Sequence, residues 1–268
     1  MRIHRVLLVL ITSLALTGCI NSTTLIKLNA DGSGTVEQTT LMNVAAMKSM
    51  MPGMEDSGRA PNVVNKADLE RTAARMGPGV RLLSATPTKG ADGFEGVKAI
   101  FAFDDINQVQ VSQDRGMSGG TGGGMSPEPS GNDPVKFRLT RSGGTSVLTI
   151  AVNDKPGGGA ESSADTGDMP DLTNPMMMNM IKTMFAGFKI NIALEVAGAI
   201  TKTNAEYVNG SHITLLEMDM AALLADEAKF KALQSKLGPN ASLTEVKPYL
   251  KDIKGIKVDG PSITVEFK

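Results

Sequence analysis

Short runs of alternating apolar and polar residues, separated by glycine-containing turns, constrain the fold of this chain more than any other feature. The clearest turns are Asp31-Gly32-Ser33-Gly34, Ser142-Gly143-Gly144 and Asn209-Gly210. Because successive strand side chains point to opposite faces, each run predicts a strand, and Asp-Gly or Asn-Gly between two runs predicts a β-hairpin. The predicted strands cover 23–29, 35–41, 80–85, 94–103, 135–141, 146–153, 189–197, 199–207, 211–218, 256–258 and 263–267.

Helical patterns lie between these hairpins. Asn43, Asn65, Asp219 and Ser242 each precede an apolar repeat of helical period and are suitable N-cap residues. The predicted helices cover 44–51, 66–76, 220–237 and 243–250. The predicted fold class is therefore α+β, an antiparallel β-sheet of hairpins with several helices packed on it.

Two segments, at about 113–134 and 154–171, are rich in glycine and poor in apolar residues. Such segments cannot bury enough surface to offset the entropy of ordering them, so they predict disordered loops. The strands on either side form hairpin pairs, which makes the two segments insertions and not linkers between domains. A single α+β domain over 19–268 is predicted.

The N-terminus has the composition of an export signal. Arg2 and Arg5 precede an apolar run that ends at Leu16-Thr17-Gly18-Cys19. This run is too short to span a membrane and is typical of a signal peptide. The four residues at its end resemble the lipobox of bacterial lipoproteins at every position. That resemblance implies removal of residues 1–18, diacylation of the Cys19 thiol and acylation, for instance by palmitate, of the new amino terminus. The alternative is an ordinary signal peptide with a chance cysteine.

Cys19 is the one cysteine of the chain, and no run of basic residues follows it. Attachment to a membrane is therefore expected through the N-terminal lipid and not through charge. Ile20 in place of Asp after the cysteine resembles lipoproteins that are sent to the outer membrane, which implies a periplasm-facing protein. Residues 20–22 are expected to form a short tether before the first strand.

A methionine-rich stretch at 171–188 predicts an amphipathic helix. Its apolar stripe follows helical spacing and consists of Met177, Met180, Ile181, Met184, Phe185 and Phe188. Three interpretations remain open: ordinary core packing, a pliable wall for a greasy ligand or membrane, and a copper(I) site of thioether sulfurs. We treat the stripe as a candidate ligand-facing helix.

Several short glycine- and asparagine-containing motifs recur along the chain. They are Gly198-Ala199-Ile200, Thr203-Asn204-Ala205 and Asn209-Gly210 within 188–218, together with the first hairpin at 28–36. These motifs resemble those of the LppM-type envelope proteins. The resemblance implies an envelope domain without catalytic residues that handles lipid. This chain departs from the family in lacking a C-terminal membrane helix and in having Leu215-Leu216 where an aromatic residue is usual.

Residues that could carry catalysis or hold a metal are few. His212 has no adjacent acid, and the neighbouring Asp104 and Asp105 are expected to point to opposite faces of a strand. Asp31 lies in a turn that resembles the start of a calcium loop, but Thr40 occupies the position of its closing glutamate. We therefore expect no enzyme activity, no metal site and no cofactor.

We expect no nucleic-acid partner, because 27 basic and 28 acidic side chains provide no basic stripe. The predicted function is that of a lipid-anchored, non-catalytic protein of the cell envelope that binds a hydrophobic ligand or lipid. The alternative function is a structural or assembly accessory that docks on an envelope membrane protein.

Overall fold

A computed structural model describes residues 20–43, 65–91, 93–111, 135–152, 178, 182, 185, 187–234 and 242–268. The strands are β1 (Ile20–Leu28), β2 (Gly34–Asn43), β3 (Arg81–Lys89), β4 (Phe94–Phe103), β5 (Gln110–Val111), β6 (Val135–Ser142), β7 (Thr145–Ala151), β8 (Lys189–Val196), β9 (Ile200–Thr203), β10 (Val208–Asn209), β11 (His212–Asp219), β12 (Ile256–Val258) and β13 (Ser262–Phe267). The helices are α1 (Lys66–Met76), α2 (Met220–Ala225), α3 (Glu227–Gln234) and α4 (Leu243–Leu250), with a 3₁₀ turn over Ile106–Gln108. The α+β prediction is confirmed.

The larger sheet has the strand order β10-β11-β8-β1-β2-β4-β3, and β12 also pairs with β11. Strands β1 and β2 form the predicted first hairpin, with Leu28 opposite Gly34. Strand β1 pairs on its other side with β8, and this pair is parallel. The prediction of a purely antiparallel sheet is therefore wrong. Alternation of apolar residues determines which face of a strand is buried, but it does not determine which distant strand lies alongside.

A second, smaller sheet has the order β5-β6-β7-β13-β9. Strands β6 and β7 form the predicted hairpin across Gly143-Gly144, and the C-terminal strand β13 docks in this sheet as expected. Strand β9 also belongs here, whereas the sequence predicted a long hairpin between 199–207 and 211–218. Asn204 explains part of this difference, because its side chain donates to the Ser262 carbonyl (3.0 Å) and accepts from the Thr264 amide (2.6 Å). The Asn209-Gly210 turn is present, but only the two-residue β10 pairs across it.

The two sheets share one apolar core. Alternate apolar residues of β4 and β8 are buried there, including Phe101 and Leu194 with no exposed surface. The largest side chains that are fully buried come from both sheets, from α1 and from the 3₁₀ turn; they are Phe101, Phe103, Phe267, Ile26, Leu28, Met76, Ile106, Leu148, Ile150, Leu194, Ile213 and Ile263. Because they form one contact cluster, neither sheet has a core of its own.

Helices α1 and α4 begin where the sequence predicts. The Asn65 Oδ1 accepts from the amides of Ala67 (3.1 Å) and Asp68 (3.4 Å). At α4, Ser242 and Glu245 form the predicted capping box, in which each side chain accepts from the other's backbone amide.

The helix predicted over 220–237 is instead two short helices, α2 and α3. Asp226 lies between them, and its Oδ1 accepts from the Lys229 amide at 3.1 Å, so it caps the second helix. Continuous apolar periodicity across Asp226 concealed this break. Both helices pack in a second apolar cluster with α4 and β12, which includes Leu223, Leu233 and Leu250.

Several predictions fall outside the described residues. They concern the signal peptide and lipobox at 1–19, the helix after Asn43, the glycine-rich segments at about 113–134 and 154–171, and most of the methionine stripe. Asn43 itself is the last residue of β2 and is 3% exposed.

Candidate functional site

The chain enters the larger sheet immediately after the predicted lipidation site. Cys19 and the preceding Leu16, Thr17 and Gly18 lie outside the described residues. Ile20 is already part of β1, where it lies opposite Met42. The expectation of a tether over residues 20–22 is therefore wrong, because the pairing of β1 with β2 includes Ile20 and the pairing of β1 with β8 begins at Asn21. The polar Asn21 and Ser22 concealed this part of the strand.

The methionine stripe is described only at its C-terminal end. Met177, Met180, Ile181 and Met184 lie outside the described residues, so their role as a ligand-facing surface stays a prediction. Phe185 is helical and half-buried, whereas Phe188 follows the helix and is 9% exposed. The two rings meet edge to face with centroids 5.8 Å apart, and the Phe188 amide donates to the Phe185 carbonyl at 3.0 Å. Phe188 is therefore a core residue.

Several apolar residues lie along the end of the larger sheet where β1 begins. We call this region the anchor end and define it by Ile20, Met42, Phe94, Phe188 and Met220. Strand register places Ile20 opposite Met42, and Asn43 opposite Phe94. The Met220 amide donates to the Phe188 carbonyl at 3.1 Å, which joins the start of α2 to the start of β8. Four of the five residues, Phe188 being the exception, are half-buried.

Two pairs of opposite charge lie at the anchor end. Lys189 Nζ lies 2.8 Å from Asp219 Oδ2, and Lys89 Nζ lies 3.1 Å from Glu95 Oε1. Each pair cancels its own charge. These four side chains therefore add no net charge to the anchor end.

A charged cluster lies on one face of the larger sheet. Glu37 accepts from Lys27 Nζ (2.6 Å) and from Lys98 Nζ (2.9 Å) through its two carboxylate oxygens. The hydrogen bond from Lys27 lowers the pKa of Glu37 most, and the bond from Lys98 lowers it further. The bond between Lys27 and Glu37 also raises the pKa of Lys27. The three side chains lie together because β1, β2 and β4 are neighbouring strands. Such a cross-strand cluster of opposite charges stabilises the sheet.

Sequence reasoning missed a buried carboxylate, Asp259, which is 3% exposed. It accepts from the amides of Glu206 (3.1 Å) and Gly260 (2.8 Å), and burial raises its pKa. The nearby Lys247 pairs with Glu206 at 2.5 Å. Lys247 also lines a recess of about 10 Å³, the volume of a single water, which cannot hold an organic substrate. Asp259 organises the turn before β13.

The residues weighed for catalysis or metal binding do not converge. His212 begins β11, opposite Glu195. Asp104 pairs with Arg81 at 2.9 Å, whereas Asp105 caps the following 3₁₀ turn by accepting from the Asn107 amide. Within the described part of the chain, no group of three or more His, Cys, Asp or Glu side chains is placed to hold a metal ion.

The calcium-loop alternative also falls on described residues. Asp31 Oδ1 accepts from both the amide (2.9 Å) and the hydroxyl (2.7 Å) of Ser33, and these bonds lower the pKa of Asp31. Asn29 donates to the same hydroxyl at 3.0 Å. The polar residues of this turn therefore bond to one another, as in an ordinary Asx turn.

Fold and site together define a two-sheet α+β domain whose N-terminal strand begins next to a single cysteine. None of the described helices has the length and apolar character needed to cross a membrane.

No protein family and no curated protein matches the sequence. Among solved structures, the chain is similar to the folded domain of the Mycobacterium tuberculosis LppM protein, determined by NMR. The TM-score is 0.33 and the identity is 10%, over 94% of this chain and 91% of that chain. This similarity concerns the same family that the short motifs resemble, but it is too low to show a common fold or a common function.

Proposed function

We propose that this chain is a lipid-anchored, non-catalytic protein of the cell envelope that binds a hydrophobic ligand or lipid. The observation that supports the proposal is that the predicted lipidation site and two methionine-containing stretches border the anchor end in sequence. Strand β1 follows Cys19 directly, with no residue between the cysteine and the strand.

Two further apolar stretches of sequence join the sheet at the same end. Strand β2 finishes at Asn43 and is followed by a stretch that contains Met47, Met50, Met51 and Met54. Strand β8 starts at Lys189, directly after the methionine-rich stretch at 176–188. Parallel pairing of β1 with β8 and antiparallel pairing of β1 with β2 bring all three connections together. Methionine suits a surface that adapts to ligands of varied shape, because its unbranched side chain is flexible and polarizable.

The proposed anchor is strong enough to hold the protein at a membrane. Each buried CH₂ of an acyl chain contributes about 0.8 kcal/mol, and one chain alone gives only marginal binding. A lipobox cysteine carries several chains, so attachment would be stable without any contribution from a basic patch. Among envelope compartments, the outer membrane facing the periplasm fits Ile20 after the cysteine.

Lipid analysis of the full chain purified from bacterial membranes tests the ligand proposal. We expect a hydrophobic molecule to co-purify non-covalently in a fixed ratio and to be detected by native mass spectrometry. Phe185→Asp, at the half-buried end of the stripe, should reduce its amount. Leu83→Asp is the matched control, since Leu83 is 56% exposed on β3 and lies outside the anchor end. A protein that is consistently empty would contradict the ligand proposal, and specific crosslinking to one envelope protein would favour the accessory role.

A further inference from the structure

We infer that the anchor end of the larger sheet lies against the lipid headgroups, with the sheet standing away from the bilayer. This inference rests on the lipid anchor proposed above and adds the part of the domain that touches the membrane. The occupant of this apolar surface is the bilayer itself.

The length of chain between lipid and sheet gives the first argument. Consecutive Cα atoms are about 3.8 Å apart, and Cys19 immediately precedes Ile20, the first residue of β1. Ile20 is held by β2, through Met42, so it cannot move away from the sheet as a free tether would. A lipid on Cys19 therefore brings the anchor end to within a residue or two of the membrane surface.

The contrast between the two ends of the sheet gives the second argument. The anchor end carries Ile20, Met42, Phe94 and Met220, all half-buried with part of their apolar surface accessible. At the opposite end, the exposed residues are mostly polar and include Asp31, Asp104, Asp105 and Asn209, with Val208 as an exposed apolar residue. Since β1 has nine residues that each advance about 3.3 Å, the two ends are separated by about 27 Å.

The ion pairs at the anchor end give the third argument. Lys89 is paired with Glu95, and Lys189 with Asp219, so that neither of these lysines adds an unpaired positive charge there. A basic surface would select anionic lipids and would be released by salt. The observed pairing instead fits apolar contact, so zwitterionic lipid should suffice and high salt should not remove the contact.

Single tryptophan substitutions test this orientation cleanly, because the chain contains no tryptophan. Phe94→Trp places the probe at the anchor end, and Val208→Trp places a control at the opposite end, where Val208 is 40% exposed. Each full-length variant is purified from membranes and reconstituted in phosphatidylcholine vesicles with brominated acyl chains. We expect loss of fluorescence and a blue-shifted emission for Phe94→Trp, at low and high salt, and neither change for Val208→Trp.

Equal quenching of the two probes, or stronger quenching of Val208→Trp, would overturn the orientation. Met220→Trp is a second probe at the anchor end in case Phe94→Trp fails to fold, and it should be quenched like Phe94→Trp. The ligand proposal fails independently: a purified protein without bound lipid whose Phe94→Trp probe is quenched would refute ligand binding and support the membrane contact. A purified protein with bound lipid whose anchor-end probes are not quenched would support ligand binding and refute the membrane contact.

Discussion

Truncation of Phe267 to alanine should destabilise both sheets together. Phe267 has no exposed surface and lies in β13, between β7 and β9, within the apolar cluster that the two sheets share. Burial of such a side chain contributes about 1.5–3 kcal/mol. The cavity left by truncation adds to this, so the expected cost of Phe→Ala in a core is about 3–5 kcal/mol. Proteins of ordinary stability have only about 5–15 kcal/mol in total.

Urea unfolding followed by circular dichroism measures this effect. With a slope of about 2–3 kcal/mol per molar urea, the unfolding midpoint should fall by about 1–2.5 M. Leu83→Ala is the control, because Leu83 is mostly exposed and a surface truncation should change the free energy of unfolding by less than about 0.5 kcal/mol. A loss below about 1 kcal/mol for Phe267→Ala, or separate transitions for the two sheets, would refute the shared core.

Two further predictions concern Glu37 and Gly198. The lowered pKa of Glu37 means that its ionised form stabilises the fold above the ordinary pKa of 4.5 and that this contribution is lost as the pH falls through its lower folded pKa. Glu37→Gln should therefore lower the free energy of unfolding at neutral pH, by less than about 1 kcal/mol because both lysines are nearly half exposed, and the difference from the parent should vanish in acid. At Gly198, with a φ of +132°, a Cβ would lie 2.0 Å from the Lys268 carbonyl oxygen, so Gly198→Ala should cost about 3 kcal/mol, the upper end of the range for local backbone strain. Gly143→Ala, where the φ of +57° is the only obstacle, should cost about 1 kcal/mol, and an equal cost at both positions would contradict this account.

Local chemistry made much of the fold predictable. The bounds predicted for β4 and α1 match the structure, and Asn65 and the Ser242 capping box start α1 and α4 as expected. Turns, caps and strand faces depend on residues close together in sequence. They can therefore be inferred without knowledge of the tertiary fold.

Long-range pairing was not predictable in the same way. Nothing in the alternation of β8 indicates that it lies parallel to β1, and nothing in β9 indicates that it joins β13 in a second sheet. The break at Asp226 left the apolar period intact, so it also escaped prediction.

The candidate site shows the same division. The lipobox and the methionine stripe were visible as sequence patterns, whereas the position of Ile20 and Lys189 at one end of a sheet depends on the pairing of β1 with both β2 and β8. The burial of Asp259 depends on contacts with Glu206, which is distant in sequence, so no local sequence pattern predicts this burial.

Replacement of the lipobox cysteine tests the proposed anchor most directly. Cys19→Ala should leave uncleaved precursor or release the protein from bacterial membranes, as measured by electrophoretic mobility and membrane fractionation of the full chain. Thr17→Ala is the matched control, because it changes the variable position of the Leu-x-Gly-Cys pattern and should mature normally. Unchanged maturation and unchanged membrane fractionation of Cys19→Ala would contradict the account of a lipid-anchored domain.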